Sequence, residues 1–272
     1  ESMWIRLILI SLSISLSSCS QNAFLESAKR DTDDARLFEA RKLMNQSRWD
    51  EAITAIQATS AAMQARRETK ATLASAYAGK CGLNLIQMAD QMTNAGSSAL
   101  FGVLLLALRN ADATAIANCQ LAETTLLSIN STAASRTADE NTLLAFVGFA
   151  KIGAILSVYG DTNDDGTVEP AFNPCNTGEL SDAMLREVGT GITISVASLG
   201  ASGTSIGSTL STSVTSACTT LAGVNPAYDF CSITDPAGFS TDQVKAIGGI
   251  VRSTDVPGLG TCAGDIATCV CP

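Results

Sequence analysis

From Asp33 onward apolar residues return every three or four positions, the spacing of one face of a helix rather than the alternation of a strand. Leu37, Ala40, Leu43 and Met44 mark a first helix, with Asp33 or Asp34 as its cap. After a turn at Ser47-Arg48, Trp49, Ala52, Ile53 and Ile56 open a second helix running toward Met63. A third is predicted over Thr69 to Ala78, and a fourth carries Leu83, Leu85, Ile86, Ala89 and Met92. Ser98 to Arg109 is apolar nearly all round, as expected of a buried central helix. Asp112 caps the next, to about Asn130, and Asp139 or Glu140 opens a long one through Tyr159. Between 182 and 221 the apolar positions step by three or four in two runs, Val188 to Leu199 and Ile206 to Leu221. They describe two Ser/Thr-rich helices parted at Gly200 to Gly203. The alternation Ile192-Thr193-Ile194-Ser195-Val196 leaves a strand reading open there. A short helix over Thr241 to Arg252 precedes a Gly- and Cys-rich end. The expected fold class is all-α, an array or bundle of antiparallel helical hairpins with a disulfide-stapled C-terminal part.

The segment before that array is of another kind. Trp4-Ile5-Arg6 leads into an apolar stretch, Leu7 to Leu16, and then Ser17-Ser18-Cys19. A basic start, a short apolar core and small residues before a cut describe a secretory signal, too short for the roughly 20 residues that span a bilayer. Leu16-Ser17-Ser18-Cys19 resembles the bacterial lipobox, which implies acylation of Cys19 and a membrane anchor through that lipid. Ser20 after the cysteine, in place of Asp, implies the outer membrane, facing the periplasm. The expected organisation is a signal peptide over 1–18 and a polar tether over 19–34. Hairpins follow over 35–160, and residues 161–272 hold an acidic loop, the Ser/Thr-rich helices and the cysteine-rich tail, packed on the same domain.

The stretch of helices from Leu37 to about Gly96 resembles the tetratricopeptide repeat. Trp49-Asp50-Glu51-Ala52 looks like that family's aromatic-x-x-Ala opening of helix B, with Ala40 at the small position of helix A. Thirty-four residues beyond Ala40 stands Ala74, inside Leu73-Ala74-Ser75-Ala76-Tyr77. The resemblance implies stacked hairpins, because one hairpin cannot bury its own apolar face. It covers about 60 residues. Leu83 and Ile86 depart from the aromatic and alanine of a second repeat, and no third copy follows near residue 108.

Composition narrows the function. The net charge of −9 disfavours nucleic acid as a partner. There is no histidine, which removes the commonest general base, Ser-His and Cys-His nucleophile pairs and most zinc sites. Apart from Cys19, the eight cysteines Cys81, Cys119, Cys175, Cys218, Cys231, Cys262, Cys269 and Cys271 suit four disulfides in an oxidising compartment. Cys81 with Cys119 is one expected pair, since both fall on predicted helices with one helix between. Cys269 and Cys271 are expected to reach different partners.

One stretch carries ligand chemistry. In Asp161-Thr162-Asn163-Asp164-Asp165-Gly166-Thr167-Val168-Glu169, oxygen-bearing side chains stand at positions one, three and five, with glycine at six. This resembles an EF-hand or dockerin-type calcium loop. The implied structural Ca²⁺ is held by Asp161, Asn163, Asp165, the Thr167 carbonyl and Glu169. Phe172 departs from the pattern, standing where a bidentate carboxylate would close the shell.

Two functions are expected from different classes. One is a non-catalytic, lipid-anchored scaffold that binds a protein partner in the cell envelope. The other is a small-ligand component of solute uptake, with a pocket near Phe101, Phe146, Phe149 and Tyr159. As an acid pair, Asp139-Glu140 with Glu187 has no supporting spacing, and an enzyme is not expected.

Overall fold

The computed structural model of the protein describes residues 31–272 apart from 96–99, 204, 255–257 and 264, and the side chains at 92–95, 205–211 and 213 are likewise outside it. Cys19, the leader and most of the tether lie outside the described residues.

Among the described residues there are eleven α-helices, three short 3₁₀ turns and no strand. The helices are α1 (Asp33–Asn45), α2 (Trp49–Gln57), α3 (Ala61–Gln64), α4 (Arg67–Lys80), α5 (Leu85–Ala95) and α6 (Leu100–Ala107). They continue with α7 (Ala113–Leu127), α8 (Ala138–Gly160), α9 (Asp182–Ser202), α10 (Ser205–Val224) and α11 (Thr241–Arg252). Residues 192–196 belong to α9, so the strand alternative falls.

Local chemistry sets several ends. The cap of α1 is Thr32, whose hydroxyl accepts from Ala35 N at 3.2 Å, rather than either aspartate. Asp33 instead accepts from the backbone N of Ser60 at 2.8 Å and from its hydroxyl, tying α1 to α3. The same Ser60 caps α3, which is why the helix opened by Trp49 stops at Gln57 and does not run on to Met63. Thr137 and Glu140 form a reciprocal capping box at the start of α8.

α1 packs on α2, α2 on α4, α4 on α7 and α7 on α8; α8 also meets α6 and, most extensively, α9, which in turn carries α10 and α11. The centre of the molecule is therefore α8, not the leucine-rich α6, whose Leu106 is 43% exposed. Within α8 an 18-residue window is apolar enough to cross a membrane, but 83% of it is buried inside the protein, as in a core helix. Small residues bring α8 and α9 together. A β-carbon on Gly148 would lie 2.3 Å from Ser195 Oγ and 3.0 Å from the Gly191 carbonyl oxygen. Ser195 Oγ donates to the Ala145 carbonyl at 2.8 Å across the same crossing.

A first apolar cluster joins α1, α2, α3 and α4 through Leu37, Ala40, Leu43, Ala52, Ile53 and Ile56, with Met63 and Ala76. A larger one runs from Cys81 to Ile266 and unites α5 to α8 with α9 to α11 and the cysteine-rich tail. Four disulfides join Cys81 to Cys119, Cys175 to Cys271, Cys218 to Cys231 and Cys262 to Cys269. Cys269 and Cys271 do go to different partners. Cys81 caps the end of α4 rather than lying within it, and two helices, not one, separate it from Cys119.

Candidate functional site

A groove of about 690 Å³ lies where the end of α1, the start of α2, the end of α4, the start of α5 and one residue of α8 meet. Met44, Trp49, Leu83, Leu85, Ile86 and Leu143 give it an apolar wall; Asn45, Ser75 and Asn84 supply its polar points, and no lining residue is charged. Its floor exists because α4 has no side chain at Gly79, where Trp49 lies. Ile86 is 85% exposed and Leu85 41%, so the wall continues as open apolar surface. The charges near the rim are already paired, Lys80 with Asp50 and Arg48 with Glu51. A cleft of this size and character suits an apolar group fixed by a few amide and hydroxyl contacts.

The acidic loop follows directly on α8. Asp161 is buried, and its two carboxylate oxygens accept from Asp165 N at 3.0 Å and Gly166 N at 2.8 Å. Asn163 Oδ1 accepts from the same Asp165 N at 2.9 Å, so loop positions one and three converge. Asp165 turns to Thr167, accepting from its N at 2.8 Å and its hydroxyl at 2.6 Å, bonds that hold the carboxyl below its ordinary value. Glu169 Oε1 accepts from the Thr162 hydroxyl at 3.0 Å. Gly166 adopts φ +87°, the left-handed turn the sequence requires of it. Phe172 is buried in the core, so position twelve plugs the loop onto α8 instead of offering a ligand. Among the described residues no three Asp, Glu, Cys or His side chains group at metal-binding range.

A third site went unremarked in the sequence. Lys151, fully buried at mid-α8, donates to Glu123 Oε1 of α7 at 2.7 Å, to Glu187 Oε2 of α9 at 2.8 Å and to Thr190 Oγ1 at 2.8 Å. All three ammonium protons are thereby used. Glu123 Oε2 is buried with no hydrogen-bond partner among the described residues. Burial pushes the Glu123 carboxyl above its ordinary value, against the opposing pull of Lys151. The signal available was Lys151 itself, the one charged residue between Glu140 and Asp161.

The other predicted site residues fall apart. Glu140 pairs with Arg67 and Glu187 with Lys151, so they form no acid pair, and Glu187 is an ion-pair partner rather than a solvated carboxylate. Phe101 and Phe149 line an interior void of about 10 Å³, large enough for no more than a water-sized group, and Tyr159 is partly exposed.

No protein-family model, no curated protein and no solved structure matches the chain.

Proposed function

We propose that the protein is an exported, non-catalytic helical scaffold, anchored to the outer membrane through an acylated Cys19, that binds a protein partner of the cell envelope in the groove beside Trp49. The observation that carries this reading is the uncharged, apolar groove of about 690 Å³ continuing into Ile86, an isoleucine left 85% exposed. An isolated exposed apolar residue needs no explanation, but one that extends a concave apolar wall is the form of a docking surface. The tetratricopeptide-like spacing of Ala40, Trp49, Ala52 and Ala74 supports the same reading by analogy of fold alone. The lack of histidine is consistent with holding rather than transforming.

The test is site-specific photocrosslinking in intact cells. A benzophenone side chain at Ile86 should yield one defined protein adduct, and the same probe at Thr124, exposed on α7, should not. Equal labelling from both positions overturns the reading. Intact-mass measurement of the membrane-extracted protein should find a diacylglyceryl-modified Cys19 at the N-terminus; an unmodified Cys19 overturns the anchor.

In the same reading the loop after α8 holds a structural Ca²⁺ through Asp161, Asn163, Asp165 and the Thr167 carbonyl, with Glu169 joining through water. The convergence of the Asp161 and Asn163 oxygens on one amide supports it, as carboxylate and amide oxygens are the donors this ion takes. Weak loops of extracellular modules bind with Kd of about 10⁻⁴–10⁻³ M. The Tm should therefore rise in about 10 mM Ca²⁺ relative to EGTA, and Asp165→Ala should abolish the rise. No difference between Ca²⁺ and EGTA overturns this assignment.

A further inference from the structure

We propose that the buried cluster of Glu123, Lys151 and Glu187 is a proton-binding site that couples the packing of α7, α8 and α9 to the pH outside the cell. The argument begins with charge. Two carboxylates share one ammonium, so the fully ionised cluster would carry one excess negative charge in the core. An uncompensated charge is the costliest thing a core can hold, and binding a proton removes it.

Geometry chooses the carboxylate. Glu123 is the deeper of the two, its side chain 8% exposed against 17% for Glu187. Its Oε2 receives no donor from the described residues, so an ionised Glu123 would draw on Lys151 through one oxygen alone. The desolvation that raises this carboxyl acts in the same direction. Among the described residues no other charge is paired with this cluster. On α4, the other helix packed on α7, Lys70 bonds the Ser128 carbonyl, Arg67 pairs with Glu140, Lys80 with Asp50 and Glu68 with Arg41. On α9, Arg186 donates to the carbonyls of Pro236 and Phe239.

The sign follows from linkage. A carboxyl that holds its proton more tightly folded than unfolded lends stability that is fully present below the unfolded value and is lost as pH rises from there through the folded value. The chain has no histidine, and eight of its cysteines are in disulfides. With no histidine to titrate, a raised carboxyl stands out against a nearly flat background between the ordinary carboxylate and thiol ranges.

The experiment is thermal unfolding of the exported, disulfide-intact protein from about pH 5 to about pH 8. The wild-type Tm should fall with rising pH by roughly 3 °C per unit while the folded chain still holds the proton that the unfolded chain has released, and level off once folded Glu123 ionises. Glu123→Gln, which keeps the acceptor for Lys151 and removes the titration, should hold its Tm level, and Glu187→Gln, which removes the excess negative charge but not the burial of Glu123, should lessen the wild-type slope without abolishing it. A level wild-type profile, or an undiminished slope in Glu123→Gln, overturns the proposal. If that variant does not fold, NMR of the wild-type protein labelled at glutamate δ-carbons gives the answer. One carboxyl carbon titrating in this range supports the site, and none doing so overturns it.

Discussion

The indole of Trp49 packs so closely on Gly79 that a β-carbon there would lie 2.5 Å from both Cη2 and Cζ3 of the ring. The contact joins the start of α2 to the last turn of α4 and forms the groove floor. Gly79→Ala gains helix propensity worth up to about 1 kcal/mol, but overpacking a ring that cannot shorten costs about 1–3 kcal/mol. The expected outcome is net destabilisation, with a lower urea midpoint and a shifted Trp49 fluorescence spectrum in the native state.

Ile86 tests the opposite case. At 85% exposure it stabilises almost nothing, so Ile86→Asp should change unfolding free energy by no more than about 0.5 kcal/mol. Thermal unfolding checks this. A larger loss would mean that Ile86 serves the fold and not the groove.

The disulfides should differ in both worth and access. In the chain-entropy account, closing the loop between Cys81 and Cys119, 38 residues apart, stabilises by about 4 kcal/mol. The pair Cys175–Cys271, 96 apart, gives nearer 5, and Cys262–Cys269, 7 apart, about 2. Cys81 and Cys119 are 1% and 0% exposed, whereas one sulfur of each other pair lies in a partly exposed residue. Under mild reduction of the native protein, alkylation followed by peptide mass spectrometry should therefore find Cys81–Cys119 the last to open. Removing that pair by Cys81→Ala with Cys119→Ala should cost about 4 kcal/mol.

What the sequence disclosed follows the range of the forces involved. Helix periodicity is local, and Leu37 to Met44, Val188 to Leu199 and Thr241 to Arg252 each lie on the helix their spacing describes. The αL conformation at Gly203, where α9 ends, is equally local. The rank of helices in the core is not. Ser98 to Arg109 has more leucine than α8, yet α8 is central because Gly148 and Gly191 let a neighbour approach, and that needs two helices at once. The Trp49–Gly79 floor spans 30 positions of sequence, and Lys151 meets partners 28 and 36 residues away. A lone lysine in an apolar run announces that something must pair with it. It does not name Glu123.

Glu140 provides a control of opposite sign to Glu123. It accepts from the Arg67 guanidinium and from Thr137 N at 2.8 Å, and the Arg67 bond chiefly holds the carboxyl below its ordinary value of 4.5. A carboxyl depressed by folding lends stability above its unfolded value and loses it as pH falls through the folded one. Acidification from about pH 4.5 downward should therefore lower Tm, with Asp33 and Asp112, likewise depressed by hydrogen bonds, contributing to the same slope. Glu140→Gln should cost about 1 kcal/mol near neutrality, since Arg67 is half exposed and its pairing is screened. It should then lose less on acidification than the wild type, because the charge that acid would remove is already gone. Guanidinium chloride titrations of both proteins at pH 7 and at about pH 3 measure the two differences directly. An equal acid loss in both proteins would mean that the Arg67–Glu140 pair adds nothing to the fold.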